Sequence, residues 1–384
     1  MENLIKKPKR PWRNEYNSVH AAVMFLASII GVLAIPVAVV LILDLIDYVT
    51  GSNITGNLTT WLLLNISLQL IFGGVALVVT RIFRVRFGQA SYVKRCSSTT
   101  VLIAVILTAV CYLATFPLLG ATMTIFELIG YGSSGLPIDE ITLTWYHLVL
   151  FGLNLIVFAG VCEELVFRGG AMWGIKNDFG KAAAILLSGI AFSIMHMNPM
   201  QTVHQFVLGC VMGYITIELK SMIPAIIIHA LNNAFAFGML LFISFVDFID
   251  PGLRISSVVA NAPLTNAQLT NNLIIFLGMS LVSIPVGGLL VWVLVKAGKD
   301  ADKIKAKAKA DKTAAMIIAG GTAEVQPIPV TAPAIPPTFV NIEEKRKKTQ
   351  RKIIFGIIFS IAVAICLLMW GISFLEGMGI LRVG

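Results

Sequence analysis

Glu163 and Glu164 are adjacent carboxylates inside a run apolar enough for a bilayer, Phe158-Ala-Gly-Val-Cys-Glu-Glu-Leu-Val-Phe-Arg-Gly-Gly, with Arg168 one helical turn further on. Ionised groups at that depth are expensive and are kept with a partner or a task. Two later apolar segments each bring a histidine, in Phe192-Ser-Ile-Met-His196 and His229-Ala-Leu-Asn-Asn233. Helix neighbours differ by about 100°, so Glu163 and Glu164 face different ways, while Glu164 and Arg168, four apart, share a face. That spacing gives Glu164 to an ion pair with Arg168 and leaves Glu163 for chemistry. The pairs Phe192/His196 and His229/Asn233 are also four apart, so each presents one face to a partner helix. Asn232, three residues after His229, competes with Asn233 for that face.

Hydrolysis of an amide needs a water deprotonated and an oxyanion stabilised. A Glu and a His flanking one water supply the base and later the acid, and His or Asn donors supply an oxyanion hole worth about 3–4 kcal/mol per good donor. A nucleophilic route lacks a player: there is no Gly-X-Ser-X-Gly elbow, Ser188 and Ser193 have no adjacent base, and burial argues against Cys162, which adjoins Glu163. The set Glu163, His196 and His229 also matches the ligand types of zinc hydrolases, without a His-Glu-x-x-His sequence, so zinc is compatible and not required. Two other readings use the same groups. One is a proton-coupled transporter with a Glu/His relay, and the other is a non-catalytic immunity or scaffold protein. A transporter more often shows two related halves, whereas here the chemistry is crowded into one third of the chain. A lone histidine in an apolar helix is usually a packed core residue; His20, His147 and His204, near span ends, are assigned nothing.

The rest of the chain must hold these groups in a membrane. Of 384 residues 57% are hydrophobic and 13% charged, with mean hydropathy +0.87, against roughly 25% charged in soluble proteins. The fold class expected is all-α, a polytopic transmembrane helical bundle of about eight or nine spans. Candidate spans lie near 21–45, 59–80, 99–120, 144–168, 182–198, 203–218, 223–247, 272–296 and 353–373, the fifth and sixth short for a bilayer that needs about 20 residues. The first apolar run is too long for a signal-peptide core and reads as a retained helix. With nine spans and a cytoplasmic N-terminus, 27 of the 29 Lys and Arg fall on the cytoplasmic side, all but Arg254 and Arg382, as the positive-inside rule asks. The net charge of +9 is therefore a topology signal that also attracts anionic lipid at the cytoplasmic face. It carries no nucleic-acid motif. Five scattered cysteines give no disulfide framework.

Five parts follow: three N-terminal helices over 1–143, the chemistry over 144–247, an eighth span within 248–298, a cytoplasmic Lys/Ala- and Pro-rich linker over 299–352, and a last helix and tail over 353–384. The Lys/Ala stretch reads as an exposed helix on the membrane surface and the Pro-rich segment as a spacer. Asn53, Asn57 and Asn65 open glycosylation sequons.

Glu-Glu-x-x-x-Arg at 163–168, Phe-x-x-x-His at 192–196 and His-x-x-x-Asn at 229–233, in that order on successive apolar segments, resemble the motifs of the CPBP family. These are the CAAX proteases and bacteriocin-processing or self-immunity enzymes, related to the Ras-converting CAAX endopeptidase. The resemblance covers about residues 145–240. It implies a four-helix core within the bilayer that hydrolyses a peptide bond in a membrane-associated protein or peptide. It further implies that Glu163 and His196 activate water, that His229 and Asn233 bind the oxyanion, and that Glu164 and Arg168 are the supporting pair. The family is described both as metal-dependent and as glutamate-dependent. Eukaryotic relatives process prenylated CAAX proteins; in a bacterial cell membrane a leader peptide, pheromone precursor or envelope protein is the expected substrate.

Hydropathy alone puts Glu163 toward the cytoplasmic end of its span and His196 toward the outer end of the next. They meet if the fourth helix runs past Gly169 and Gly170 with Arg168 inside the protein. The hydrolase reading then expects the Glu163 carboxylate and the His196 ring within about 8 Å, close enough for one bridging water.

Overall fold

A computed structural model describes residues 16–85, 96–131, 144–249, 264–320 and 342–380. Among them the chain is built of helices: α1 Ser18–Thr50, α2 Leu58–Ile82, α3 Ser98–Leu128, α4 Trp145–Phe179, α5 Lys181–Met195, α6 Thr202–Leu219, α7 Ile223–Ile249, α8 Asn266–Gly320 and α9 Ile342–Gly377. The expected all-α polytopic bundle is what the chain forms. Among the described residues seven helices are long and apolar enough to cross a membrane, and α5 is shorter. Of the two spans expected to be short, the fifth is so at 15 residues. The sixth gains a 3₁₀ turn, Pro199–Gln201, at its start and reaches 21 residues.

Local chemistry sets the helix ends. Asn17 caps α1 by accepting from the Val19 and His20 amides, and Gly51, at φ 69°, takes the left-handed turn that ends it. Asp47 then gathers the Ser52 hydroxyl and the Ile54 and Thr55 amides of the turn into α2. At the opposite end of α1, Asp178 on α4 accepts from the Ser18 amide and hydroxyl and pairs with Arg351 of α9 at 2.9 Å. One buried carboxylate thus ties three helices together.

Helix α4 does run past Gly169 and Gly170, as one helix of 35 residues. It widens into π turns at Leu153–Ala159 and Leu165–Ala171. Between them a single α turn, Gly160–Glu164, carries both carboxylates. Such π turns concentrate at functional sites, and nothing in the hydropathy pattern marks them.

Two glycines let neighbours approach that turn. A methyl group on Gly73 of α2 would lie 2.8 Å from Cys162 Sγ, and one on Gly160 would lie 3.2 Å from Ala230 Cα of α7. Close helix approach through small residues is how membrane helices pack when lipid and core are equally apolar.

The C-terminal part differs from the expected division. The Lys/Ala stretch continues the eighth span in one helix of 55 residues, and the basic run at 345–352 already belongs to α9. The Lys/Ala sequence is a strong helix former throughout, so no break separates it from the span. The basic N-terminal arm, Arg254 and the Pro-rich segment lie outside the described residues.

Candidate active site

Glu163 and Glu164 leave the α turn of α4 in different directions, and their surroundings differ accordingly. Glu164 and Arg168 are fully buried and bonded at 2.8 Å. Arg168 also donates through Nη2 to the Gly209 carbonyl of α6 at 2.9 Å, and its guanidinium lies 4.5 Å from the centroid of the Phe192 ring. The Glu164 carboxylate also accepts from His229 Nδ1 at 3.0 Å. A carboxylate this deep is tolerable because Arg168 and His229 share its charge.

Glu163 is placed otherwise. Its Oε1 accepts from Gln69 Nε2 of α2 at 3.0 Å. Its Oε2 is buried without a hydrogen-bond partner and stands 4.0 Å from His196 Nε2 and 3.9 Å from His229 Nε2. Residues from α4, α5 and α7 therefore converge on one carboxylate oxygen. The separation between Glu163 and His196 is about half the bound that the sequence sets.

The far side of each imidazole fixes its tautomer. His196 Nδ1 is 2.8 Å from the Phe192 carbonyl, an obligate acceptor, so Nδ1 carries the proton. His229 Nδ1 faces the Glu164 carboxylate and does the same. In the neutral rings both Nε2 lone pairs then point toward Glu163. Phe192 packs between them, with ring centroids 4.9 Å from His196 and 5.5 Å from His229. His196 itself is the residue that ends α5, followed by Met197 in a left-handed conformation at φ 50°, a strained choice for such a side chain.

Asn233 has another partner. Its amide donates to the Leu155 carbonyl at 2.8 Å, inside the first π turn of α4. That contact joins α7 to α4. The remaining histidines serve structure: His147 meets Thr59 at 2.9 Å, His204 meets Thr115 at 3.1 Å, and His20 accepts from the Asn17 amide at α1's start. Asn65, one of the sequon asparagines, lines the cavity beside Glu163 from α2.

The site opens on a cavity of about 190 Å³ lined by Asn65, Gln69, Phe72, Glu163, Met195 and His196, among others. Gln69 is a site residue that the sequence reading passes over; its only signal is an amide in an apolar run, four residues after Asn65. A zinc ion with bonds of about 2.0–2.2 Å sets neighbouring donors about 3.3 Å apart. Here the gaps from carboxylate to imidazole are 4.0 and 3.9 Å. Among the described residues no group of three or more His, Cys, Asp or Glu side chains is spaced to hold a metal. As arranged, Glu163, His196 and His229 do not fit zinc.

No curated protein and no solved structure matches the chain. Residues 145–235, which span α4 to the first half of α7, match the family model described as Type II CAAX prenyl endopeptidase Rce1-like. The chain is an integral membrane protein in which residues 145–235 are similar to the Rce1-like CAAX endopeptidase domain.

Proposed function

We propose that Glu163, His196 and His229 hold one water and use it to hydrolyse a peptide bond near the lipid-anchored end of a membrane-associated substrate. The observation that carries this reading is the Glu163 Oε2 atom, buried and unpartnered about 4 Å from two imidazole nitrogens. Gaps of that size are spanned by a bridging water. The family description supports, as the substrate class proposed, a chain ending in a prenylated Cys-a-a-X sequence.

Glu163, with His196 as its neutral neighbour, takes a proton from the water as its oxygen adds to the scissile carbonyl carbon. The carbonyl π pair moves onto oxygen. His229 enters the reaction as the imidazolium, its Nδ1–H on the Glu164 carboxylate, so that its Nε2–H donates to that oxyanion and stays on the ring throughout. On collapse the carbon–nitrogen bond breaks, and the proton taken from water passes to the leaving amine. One water and one peptide bond become a carboxylic acid and an amine, and the enzyme is restored. In this scheme Asn233 acts through α4, by its bond to Leu155, and orients the helix that carries Glu163.

The test is cleavage in liposomes of an internally quenched peptide with an S-farnesyl cysteine and a three-residue tail, alongside a peptide anchored by its own transmembrane segment. Wild type cleaves one of them, and Glu163→Ala and His196→Ala each lose about 100-fold or more in kcat. Equal turnover by all three proteins would remove the site from the reaction.

A further inference from the structure

We propose that Gln69, on α2 and outside the 145–235 stretch covered by the family model, is the positioning residue that aims Glu163. The inference rests on the hydrolase reading above and goes beyond it to a helix that reading does not use. Gln69 Nε2 lies 3.0 Å from Glu163 Oε1. A carboxylate accepts only, so the amide must present its nitrogen; the flipped amide would set oxygen against oxygen. With Oε1 held, Oε2 is the oxygen left between the imidazoles, and the carboxylate cannot rotate to exchange the two.

Two further observations separate this from incidental packing. The Gln69 Oε1 atom makes no hydrogen bond within the protein, and the side chain lines the same cavity as Glu163 and His196. And α2 is brought close by design of sequence: one turn after Gln69, Gly73 meets Cys162, the neighbour of Glu163, so tightly that a Cβ would lie 2.8 Å from its sulfur. Phe72 adds a ring contact to Phe167 of α4 at 5.6 Å. The titratable and charged groups facing this pair are Glu163 itself with Cys162 and Arg168 from α4, His196 from α5 and His229 from α7. Loss of the donor leaves Glu163 in place but free to turn, which acts on turnover more than on substrate capture.

Gln69→Glu and Gln69→Met test this, measured in liposomes with whichever of the two reporter peptides wild type cleaves, beside wild type and Glu163→Ala. Gln69→Glu keeps the volume, and its carboxyl group donates only while protonated. Its kcat should fall at least about tenfold above neutrality and recover as the pH is lowered until the two carboxyl groups share a proton, with KM within about twofold of wild type. Gln69→Met should lose kcat at every pH. Normal kcat in both variants, or a Gln69→Glu profile that superimposes on wild type, overturns the positioning role while an inactive Glu163→Ala leaves the hydrolase reading intact. A wild type that cleaves nothing, or an active Glu163→Ala, overturns both.

Discussion

Glu164 holds His229 by its Nδ1 at 3.0 Å while the same carboxylate oxygen takes the Arg168 guanidinium at 2.8 Å. The neighbouring carboxylate, Glu163, offers the opposite face of His229 an oxygen with no bond of its own. Two adjacent residues thus divide structure from chemistry, and substitution should separate them. Glu164→Gln strands a buried guanidinium and is expected to cost about 3–5 kcal/mol of stability. Glu163→Gln should unfold at the wild-type temperature in detergent yet cleave nothing. If the two variants melt alike, the division is wrong.

Replacing both ends of the buried pair gives a second test. Apolar groups of similar volume often replace a buried ion pair at little cost, so Arg168→Met in the Glu164→Gln background should regain part of the lost stability. Activity should not return with it, because His229 has lost the carboxylate at its Nδ1. Thermal unfolding and turnover of the single and double variants form the cycle. A double variant no more stable than Glu164→Gln would show that Arg168 is held mainly by Gly209 and Phe192.

Much of this arrangement is legible in the sequence, for a physical reason. A carboxylate in an apolar run stands out because lipid makes it expensive, and i, i+4 spacing tells which of two carboxylates shares a face with Arg168. Continuation of α4 past Gly169 and Gly170 follows from the need to bring Glu163 to His196. What stays hidden is local or long-range. The π turns of α4 change the register of side chains without changing hydropathy, so the Leu155 carbonyl that takes the Asn233 amide is not foreseeable. Gln69 lies 94 residues from Glu163, and an uncharged amide is cheap enough in an apolar helix to pass without remark.

Phe192 belongs to the Phe-x-x-x-His motif for a reason the structure makes plain: its ring touches His196, His229, Phe167 and the Arg168 guanidinium. Phe192→Ala should cost about 3–5 kcal/mol and lower kcat, since both imidazoles lose the surface that orients them. Phe192→Leu should keep most of the stability and lose the edge contacts, leaving a folded enzyme of reduced kcat. Unfolding curves with single-turnover rates would check this; a Phe192→Leu enzyme as fast as wild type would make the ring mere filling.

Metal dependence is open to a direct measurement. Donor gaps of 4.0 and 3.9 Å around Glu163 suit a bridging water better than zinc bonds of about 2.0–2.2 Å. Exhaustive treatment with a membrane-permeant chelator should therefore leave kcat unchanged, and elemental analysis of the active protein should find less than one zinc per chain. Loss of activity that returns on adding zinc would mean that the three side chains close on a metal, and the roles of His196 and His229 would have to be rewritten.

The last helix reaches the site through one hydrogen bond. Trp370 Nε1 of α9 donates to Thr202 Oγ1 at 2.8 Å, and the Thr202 carbonyl accepts from Ser193 at 2.5 Å. Thr202 also donates to the Asn198 carbonyl at 2.9 Å, so the short loop from His196 to α6 is tied at both ends. That loop contains the strained Met197, a conformation that persists only where its surroundings impose it. Trp370→Phe keeps the stacking on Phe374, whose ring is 5.7 Å away, and removes the donor alone. It should cost about 1 kcal/mol of stability, yet lower kcat several-fold, because a small displacement of a catalytic ring weighs more on rate than on folding. KM should hold, since the cavity beside Glu163 has no contribution from α9. Wild-type kcat in Trp370→Phe would reduce α9 to a membrane anchor with no hold on His196.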